Sequence, residues 1–231
     1  MKLGKFSIGI GDRFALQGEA QLAAVIKAGE KGVEVTPVWN KSYREHLTIK
    51  SKPISTRREA DKAVKSLGFK GDYFVDADHV NRSNVDFFME SSDFFTLDVA
   101  DFIGKSANEK DIQEFVDEHK KYIGEFRLSS LKELFEITTE YIEKTARKFL
   151  FAVQEAGRIY RYILFRKAGD PFIVEISLDE TEKAQSPMEM LFILSAISRE
   201  KIPVQTIAPK FTGQFNKSVD YVGDVSRFIR E

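Results

Sequence analysis

The chain has 231 residues, 42% of them hydrophobic and 31% charged, a composition typical of a soluble globular protein with one sizeable core. Its 35 basic and 36 acidic residues nearly cancel, which argues against a nucleic-acid or membrane partner, and its lack of cysteine excludes disulfides, thiolate metal sites and cysteine nucleophiles. We find no signal peptide and no apolar run near the roughly 20 residues that cross a bilayer, so we expect a cytoplasmic protein.

Six segments have the apolar, β-branched and aromatic composition of strands. They lie within residues 6–14, 33–39, 73–80, 94–99, 171–180 and 202–208. Most are followed by a polar turn and a helical pattern, and repeated strand-loop-helix units favour a parallel sheet covered by helices. In the first unit, Gly9 and Gly11 begin a GxGxxG motif, but Phe14 stands where the third glycine belongs, so a Rossmann nucleotide site is excluded.

Two of the predicted helices have capping signals at their start. Ser55 or Thr56 is placed to accept unpaired amide hydrogens, with Glu59 at the capping-box position. Ser186 and Pro187 open a later helix, with the proline in its favoured first-turn place.

The segment from about residue 106 to 169 interrupts the alternation of strands and helices. Apolar residues recur there every three to four positions, and no strand pattern is visible. We therefore predict a helical insertion that buries its amphipathic face. The whole chain, residues 1–231, is then a single domain that consists of an α/β part and this insertion.

Polar residues cluster where the predicted strands end. The clusters comprise Asp12, Arg13, Asn40, Lys41, Asp78, His79, Asp98, Glu175, Asp179 and Lys210. This placement suits a TIM-like (β/α) barrel, whose active site gathers at the carboxyl ends of its strands, and a doubly wound open sheet is the alternative. A closed barrel needs eight strands, so about six strands predict an incomplete barrel that another chain completes, or an open variant of the fold.

The stretch 73–80 has the most unusual chemistry in the chain. An apolar strand ends there in Asp76, Asp78 and His79. An ionised carboxylate buried without a partner is strongly unfavourable, so such a cluster is typical of a site for metal, substrate or a proton. The same residues could instead cap the strand and begin the next helix, and residue types alone do not separate the two interpretations.

Several long motifs, in order along the chain, resemble the tagaturonate/fructuronate epimerase family. The motifs span residues 6–14, 36–42, 73–79, 93–101, 175–180 and 204–213. The resemblance implies a metal-dependent, barrel-type enzyme that interconverts D-fructuronate and D-tagaturonate by inverting one carbinol carbon. Members of this family are longer than this chain. The resemblance implies that they have further histidine ligands in the part beyond the point where this chain ends.

The resemblance also assigns roles to residues at the strand ends. It implies that Asp78 is a catalytic base, that His79 binds a divalent metal cation, and that the acidic stretch from residue 175 supplies the opposing acid. Glu175 is the first choice, because the two-residue period of a strand places it on the inward face. Asp179 and Glu180, nearer the end of the strand, are the alternatives.

Inversion of an alcohol carbon needs groups on both faces of the substrate, which a base and an acid from different strands provide. Because the inverted carbon is not next to the ketone, we expect retro-aldol cleavage and reclosure, with the metal stabilising the enediolate.

Side chains at other strand ends are expected to bind this sugar acid. They are Arg13, Asn40, Lys41, Asp98 and Lys210, of which Arg13, Lys41 and Lys210 could pair with its carboxylate or remain solvent-exposed charges.

Two other functions remain open on the sequence. The chain could be a noncatalytic or split-barrel subunit that needs a second copy or a complementing chain, which predicts an exposed apolar face and an incomplete metal shell. It could also be a sugar-phosphate aldolase or isomerase, although its strands carry no glycine-rich phosphate loop. Trp39 is expected in the core or stacked on a sugar, and His46 and His119 are expected to face water.

Overall fold

The computed structural model describes residues 1–127, 134–179, 181, 183–215 and 219–230. This part of the chain divides into two compact units. The first unit comprises Met1–Asp98, Ile159–Ile176 and Val204–Thr206, and the second comprises Val99–Arg158, Ser177–Pro203 and Ile207–Glu231. Within the ranges described, no helix is long and apolar enough to cross a membrane.

The secondary structure alternates between strands and helices over much of the chain. Within the described ranges the strands are β1 (Ser7–Ile10), β2 (Thr36–Ser42), β3 (Phe74–Val80), β4 (Phe94–Asp98), β5 (Gly124–Arg127), β6 (Leu134–Ile137), β7 (Ile173–Ser177) and β8 (Thr206–Ala208). The helices are α1 (Gly18–Glu30), α2 (Tyr43–Ile49), α3 (Ile54–Leu67), α4 (Glu109–His119), α5 (Thr139–Lys167), α6 (Pro187–Arg199) and α7 (Val225–Arg230). Short 3-10 turns lie at Val85–Phe88, Ala100–Phe102 and Lys120–Tyr122.

Six of these strands form one sheet in the order β1-β2-β3-β4-β7-β8. The pairs from β1 to β4 are parallel, with Ser7 opposite Thr36 and Val38 opposite Phe74. Parallel neighbours need a crossover connection, which explains the helical segments between them. All six strands predicted from the sequence are present, and the predicted α/β class with a six-stranded parallel sheet is confirmed.

The two faces of this sheet pack differently. One face is covered by α1 and α3, and its buried residues are Leu22, Trp39, Ala60, Ala63 and Val75. The other face, called the inner face below, has a separate apolar cluster of Val38, Phe74, Phe94 and Ile173. Alternate residues of a strand lie on opposite faces, so the residues two positions further along also belong to the inner face. These are Asn40, Asp76, Thr96 and Glu175, which make the inner face polar towards the carboxyl ends of the strands.

The helix starts confirm one capping prediction and correct the other. Ser186 and Pro187 open α6 with the proline in the first turn, as the sequence predicts, and Ser186 also forms a capping box with Glu189. The predicted capping box at Glu59 is wrong, because α3 begins earlier, after Pro53, and Glu59 lies inside the helix with 8% of its surface exposed.

In the second unit, α4, the first part of α5 and α6 pack together. Phe115 of α4 and Tyr141 of α5 approach Phe192 of α6, with ring centroids 6.4 and 6.2 Å apart. His119 lies among these rings with 4% exposure, stacked on Phe115 and hydrogen-bonded to Ser195 at 2.6 Å. The prediction that His119 faces water is therefore wrong, because it lies on the apolar face of α4.

The predicted helical insertion at residues 106–169 is only partly helical. It contains α4 and α5, but the antiparallel hairpin of β5 and β6 lies between them, with Gly124 opposite Ile137. Residues 128–133, which connect these two strands, lie outside the described residues. The prediction of a continuous helical segment is therefore wrong at β5 and β6, whereas the prediction of a single domain stays a prediction.

Candidate functional site

The carboxyl end of β3 carries Asp78 and His79 side by side. The pairing of β3 with β4 shifts register between Ala77 and Val80, so the strand bulges at these two residues. His79 has a φ of 55°, a left-handed conformation that is unfavourable for a residue with a Cβ and that concentrates at functional sites. Its Nδ1 lies 2.8 Å from Asp78 Oδ1, a contact that favours the tautomer with the proton on Nδ1 and the lone pair on Nε2.

Polar side chains connect β3, β4 and β7 on the inner face. Asp76 accepts the backbone N–H of Thr96 at 3.1 Å and the Thr96 hydroxyl at 2.9 Å. The same hydroxyl lies 3.4 Å from Glu175 Oε1. A hydroxyl group has one proton to donate and lone pairs to accept, so Thr96 can link two carboxyl groups when one of them is protonated.

Burial raises the pKa of both acids. For Asp76, which is 6% exposed, burial is the largest cause and the charges of Asp78 and Glu175 add to it, whereas hydrogen bonds from Thr96 oppose it. For Glu175, burial again raises the pKa most and Asp78 adds to it, whereas the hydroxyls of Thr206 and Thr96 act in the opposite direction. A carboxyl group that keeps its proton to a higher pH is suited to act as a general acid.

Two of the predicted substrate-binding residues share the inner face with these acids. Asn40 pairs with Asp76 in the register of β2 and β3. Asp98 ends β4, two residues beyond Thr96. Both side chains are half-buried and belong to the same polar layer as the acids.

Lys41 and Arg13, predicted to bind a substrate carboxylate, lie in different surroundings. Lys41 shares the helix-covered face with Trp39 and is 2% exposed, so its ammonium group lies on the opposite side of the sheet from the acids. Trp39 itself is a core residue with 0% exposure. Arg13 lies in the loop after β1, has 55% of its side chain exposed, and approaches Glu45 at 3.9 Å.

Lys210 and Asp179 belong to the second unit. The backbone N–H of Lys210 donates to Gln185 Oε1 at 2.6 Å, a contact that holds the loop after β8. Asp179 accepts a hydrogen bond from the Ser177 hydroxyl. Glu180, the other alternative acid, lies outside the described residues.

A divalent metal was expected at His79. Within the described ranges, no three His, Asp or Glu side chains converge as a metal site. Catalytic zinc centres use three protein ligands, and calcium or magnesium is surrounded by six or more oxygen atoms. His79 and the neighbouring Asp78 therefore fall short of a ligand set, and these residues do not by themselves fit a divalent cation.

His46 was expected to face water, and this expectation is wrong. The ring is 1% exposed and packs against Phe87 and Phe88, with Nδ1 2.8 Å from the Ser51 hydroxyl. Burial, helped by the charge of Lys41, lowers the pKa of His46 to about 4. It is therefore a neutral core imidazole at physiological pH.

Sequence reasoning placed Asp76 in the polar cluster at the end of β3 but gave it no role, and it did not identify Thr96. The two-residue period was a usable signal, because Asp76 precedes Asp78 by two positions and Thr96 precedes Asp98 by two. The contact between them depends on the register of β3 against β4, which is not readable from either strand alone.

Comparison with known proteins finds relatives along the whole chain. A family model described as UxaE, tagaturonate epimerase, matches residues 1–231. The tagaturonate/fructuronate epimerase of Thermotoga maritima is 26% identical over 238 residues, which cover 97% of this chain and 48% of that protein. A glycerol-complexed crystal structure of the fructuronate-tagaturonate epimerase UxaE from Cohnella laeviribosi has a TM-score of 0.82 at 22% identity, over 100% of this chain and 49% of that one. A native structure of the same enzyme gives 0.77 at 22% identity, over 100% and 49% of the two chains. The chain thus spans about half the length of the relatives it matches.

Proposed function

The chain belongs to the UxaE tagaturonate epimerase family, and from this membership we propose that it takes part in the interconversion of D-fructuronate and D-tagaturonate. The observation that carries the proposal is the polar layer of the inner face, where Asp78 contacts His79 at 2.8 Å at the end of β3 and Glu175 of β7 contacts Thr96 at 3.4 Å. In this proposal Asp78 is the base and Glu175 is the acid. The substrate class, a sugar acid, comes from the family.

The proposed reaction is a retro-aldol cleavage followed by reclosure. Asp78 removes the proton of the hydroxyl on the carbon to be inverted. The carbon–carbon bond on the ketone side of that carbon breaks, its electron pair forms an enediolate, and the hydroxyl-bearing carbon becomes an aldehyde. The aldehyde rotates, the bond re-forms on its other face, and Glu175, whose raised pKa favours its protonated form, donates a proton to the new alkoxide.

We also propose that a divalent cation binds at His79 with further ligands from a complementing polypeptide. When bound, such an ion stabilises negative charge on substrate oxygen atoms. The contribution of this chain is orientation, because the hydrogen bond between Asp78 and His79 Nδ1 holds the imidazole ring.

The sheet is proposed to be part of a TIM-like barrel that a complementing polypeptide or a second copy completes. The layered inner face supports this proposal, since stacked layers of inward side chains are typical of such barrels. The match to about half the length of the relatives supports it as well. Arg13, in the loop after β1, is proposed to bind the substrate carboxylate, because Lys41 lies on the helix-covered face.

The test is an assay of fructuronate-to-tagaturonate conversion by this chain, with and without added divalent cations. Asp78→Asn and Glu175→Gln should each lower turnover by about 10²–10⁴-fold, the usual contribution of a general base or acid. Asp179→Asn is the matched control, since this acid pairs with Ser177 in the second unit, and it should keep activity within about threefold of wild type.

Metal binding is measured by calorimetry on the chain and on a variant with Asp78→Asn and His79→Ala. Tight binding that the double variant loses, together with turnover, supports an active metal-dependent epimerase. The absence of both binding and turnover would contradict catalysis by this polypeptide alone and favour the alternative of a subunit that needs a complementing chain.

A further inference from the structure

Thr96 of β4 holds both oxygen atoms of Asp76. The backbone N–H of Thr96 donates to Oδ1 at 3.1 Å, and its hydroxyl oxygen lies 2.9 Å from Oδ2. Both residues are buried, with 6% of Asp76 and 2% of Thr96 exposed. Because an N–H group only donates, Oδ1 is an acceptor, and the two contacts together fix the orientation of the Asp76 carboxyl group.

The hydroxyl of Thr96 has a second neighbour, Glu175 of β7. Its oxygen lies 3.4 Å from Glu175 Oε1, compared with 2.9 Å from Asp76 Oδ2. A hydroxyl group has one proton, so it cannot donate to both carboxyl groups. The shorter distance is usual for a hydrogen bond between two oxygen atoms and the longer one exceeds that range, which assigns the proton of Thr96 to Asp76.

This assignment leaves a lone pair of the Thr96 oxygen facing Glu175. A carboxyl group donates to a lone pair only when it carries a proton. An ionised Glu175 would instead bring its charge against this lone pair and towards the charge of Asp76. Two carboxylates in one buried site disfavour joint ionisation, in agreement with the pKa values of both acids, which burial raises. The hydrogen bonds therefore favour an ionised Asp76 beside a protonated Glu175.

We propose that Asp76 is a positioning residue that acts through Thr96: by accepting the hydroxyl proton of Thr96, it turns a lone pair of that oxygen towards Glu175 and keeps Glu175 protonated. In the proposed reaction, Glu175 is then ready to give its proton to the new alkoxide. That catalytic use rests on the proposed function, but the coupling among the three side chains does not.

Other ionisable groups also act on this pair of acids. The charge of Asp78 raises the pKa of both acids, and the charge of His79 lowers that of Glu175. Asp98 ends β4, whereas β2 and β8 contribute the neutral side chains of Asn40 and Thr206. Charges act through space and do not need the threonine hydroxyl, so the test has to separate these two routes.

The test measures the pH midpoint of Glu175 ionisation by carbon NMR of the side-chain carboxyl groups, without divalent cations. Loss of the signal in Glu175→Gln assigns it. In Asp76→Asn, the new amide group donates to the Thr96 oxygen, and the threonine proton turns to Glu175, where it favours the ionised form. Loss of the Asp76 charge acts in the same direction, so we expect the midpoint to fall by about 1 pH unit or more.

Thr96→Val separates the hydrogen bond from the charge, because valine keeps the shape of threonine and lacks the hydroxyl. In this background Asp76→Asn acts only through the lost charge, and the midpoint should fall by less than half as much. Thr96→Ser keeps the hydroxyl and should restore the full effect. Equal falls in the wild-type and valine backgrounds, or a serine background that behaves like valine, would overturn the inference.

Turnover tests the catalytic use of this coupling separately. In fructuronate-to-tagaturonate conversion, Thr96→Val should lower kcat by about tenfold or more and change KM by less than about threefold, and Thr96→Ser should recover kcat. An active valine variant with unchanged kcat would contradict the positioning role. A wild-type chain without turnover would contradict the proposed function instead, and the NMR midpoints would still decide whether the three side chains are coupled.

Discussion

Asp76 is a buried acid, and its burial disfavours the ionised form of the carboxyl group. Burial, with the charges of Asp78 and Glu175, raises the pKa of Asp76 well above the usual value of an aspartate, so the folded protein binds the proton more tightly than the unfolded chain. The stability that this proton contributes is fully present below the unfolded pKa and is lost as the pH rises through the folded pKa. Asp76 therefore makes the protein less stable at neutral pH than a neutral side chain of the same shape would.

The Asp76→Asn substitution tests this conclusion, because asparagine keeps the shape of the side chain and does not ionise. We expect it to raise the free energy of unfolding at pH 7 by on the order of 1 kcal/mol, with a smaller gain near pH 4. Urea denaturation at the two pH values measures the difference. Asp72→Asn, at an exposed position, should change neither value, and a gain for Asp76→Asn that is larger near pH 4 than at pH 7 would refute the argument.

Single residues were predicted from the sequence only where the strand alternation determines their environment. Glu175 lies on the inner face, as the alternation of its strand indicated, whereas Lys41, which was expected to bind the substrate or to face solvent, lies with Trp39 on the helix-covered face. His46 and His119 were mispredicted because the aromatic rings that bury His46 come from residues 87 and 88, and those around His119 include residue 192. Such contacts depend on tertiary packing and leave no local pattern.

At the level of elements, Asp93 fixes how β3, β4, β7 and α3 meet. Its Oδ1 accepts the N–H of Val75 at 2.7 Å, and its Oδ2 accepts from Arg57 Nη2 at 2.5 Å. The backbone N–H of Asp93 donates to the carbonyl of Val75 in β3, and its own carbonyl accepts the N–H of Ile173 in β7. Removal of this carboxylate would leave the amide of Val75 without its partner and would take the nearest carboxylate from the half-buried guanidinium of Arg57.

Asp93→Ala should therefore lower the free energy of unfolding by about 2–3 kcal/mol. Thermal or urea denaturation measures the loss. Asp61→Ala is a matched control, since Asp61 contacts the same Arg57 at 3.6 Å but has half of its side chain exposed, and it should cost less than about 1 kcal/mol. Equal losses in the two variants would show that the contact between Asp93 and the strand is not important for stability.

The sheet was predictable from the sequence, whereas the hairpin was not. Strands buried on both faces, such as β3 and β4, begin with apolar residues, and the polar residues near their carboxyl ends mark where they end. The strands β5 and β6 have four residues each and little apolar alternation, so the helical spacing of their neighbours concealed them. Short, half-exposed strands depend on pairing with each other, and periodicity does not report that pairing.

At the scale of the whole molecule, the sheet has an edge at β1. The strands are ordered so that β1 has one neighbour, β2, and no other described strand pairs with its second side. Residues 7–9 are exposed, and Ile8 and Phe6 have 50% and 55% of their surface open. Unpaired N–H and C=O groups beside exposed apolar side chains favour pairing with another chain. Since the chain spans about half the length of its relatives, this edge is where we expect further strands to add.

A lysine in this edge strand should block such pairing, because a charge on an exposed edge disfavours strand addition. We expect the wild-type chain to associate with rising concentration, and Ile8→Lys to lower the associated fraction at least severalfold in sedimentation velocity. Leu67→Lys introduces the same charge at an exposed position at the end of α3, away from the sheet edge, and should leave association unchanged. If Ile8→Lys and wild type associate equally, the edge of β1 is not the surface at which this chain pairs, and the opposite edge, at β8, becomes the candidate surface.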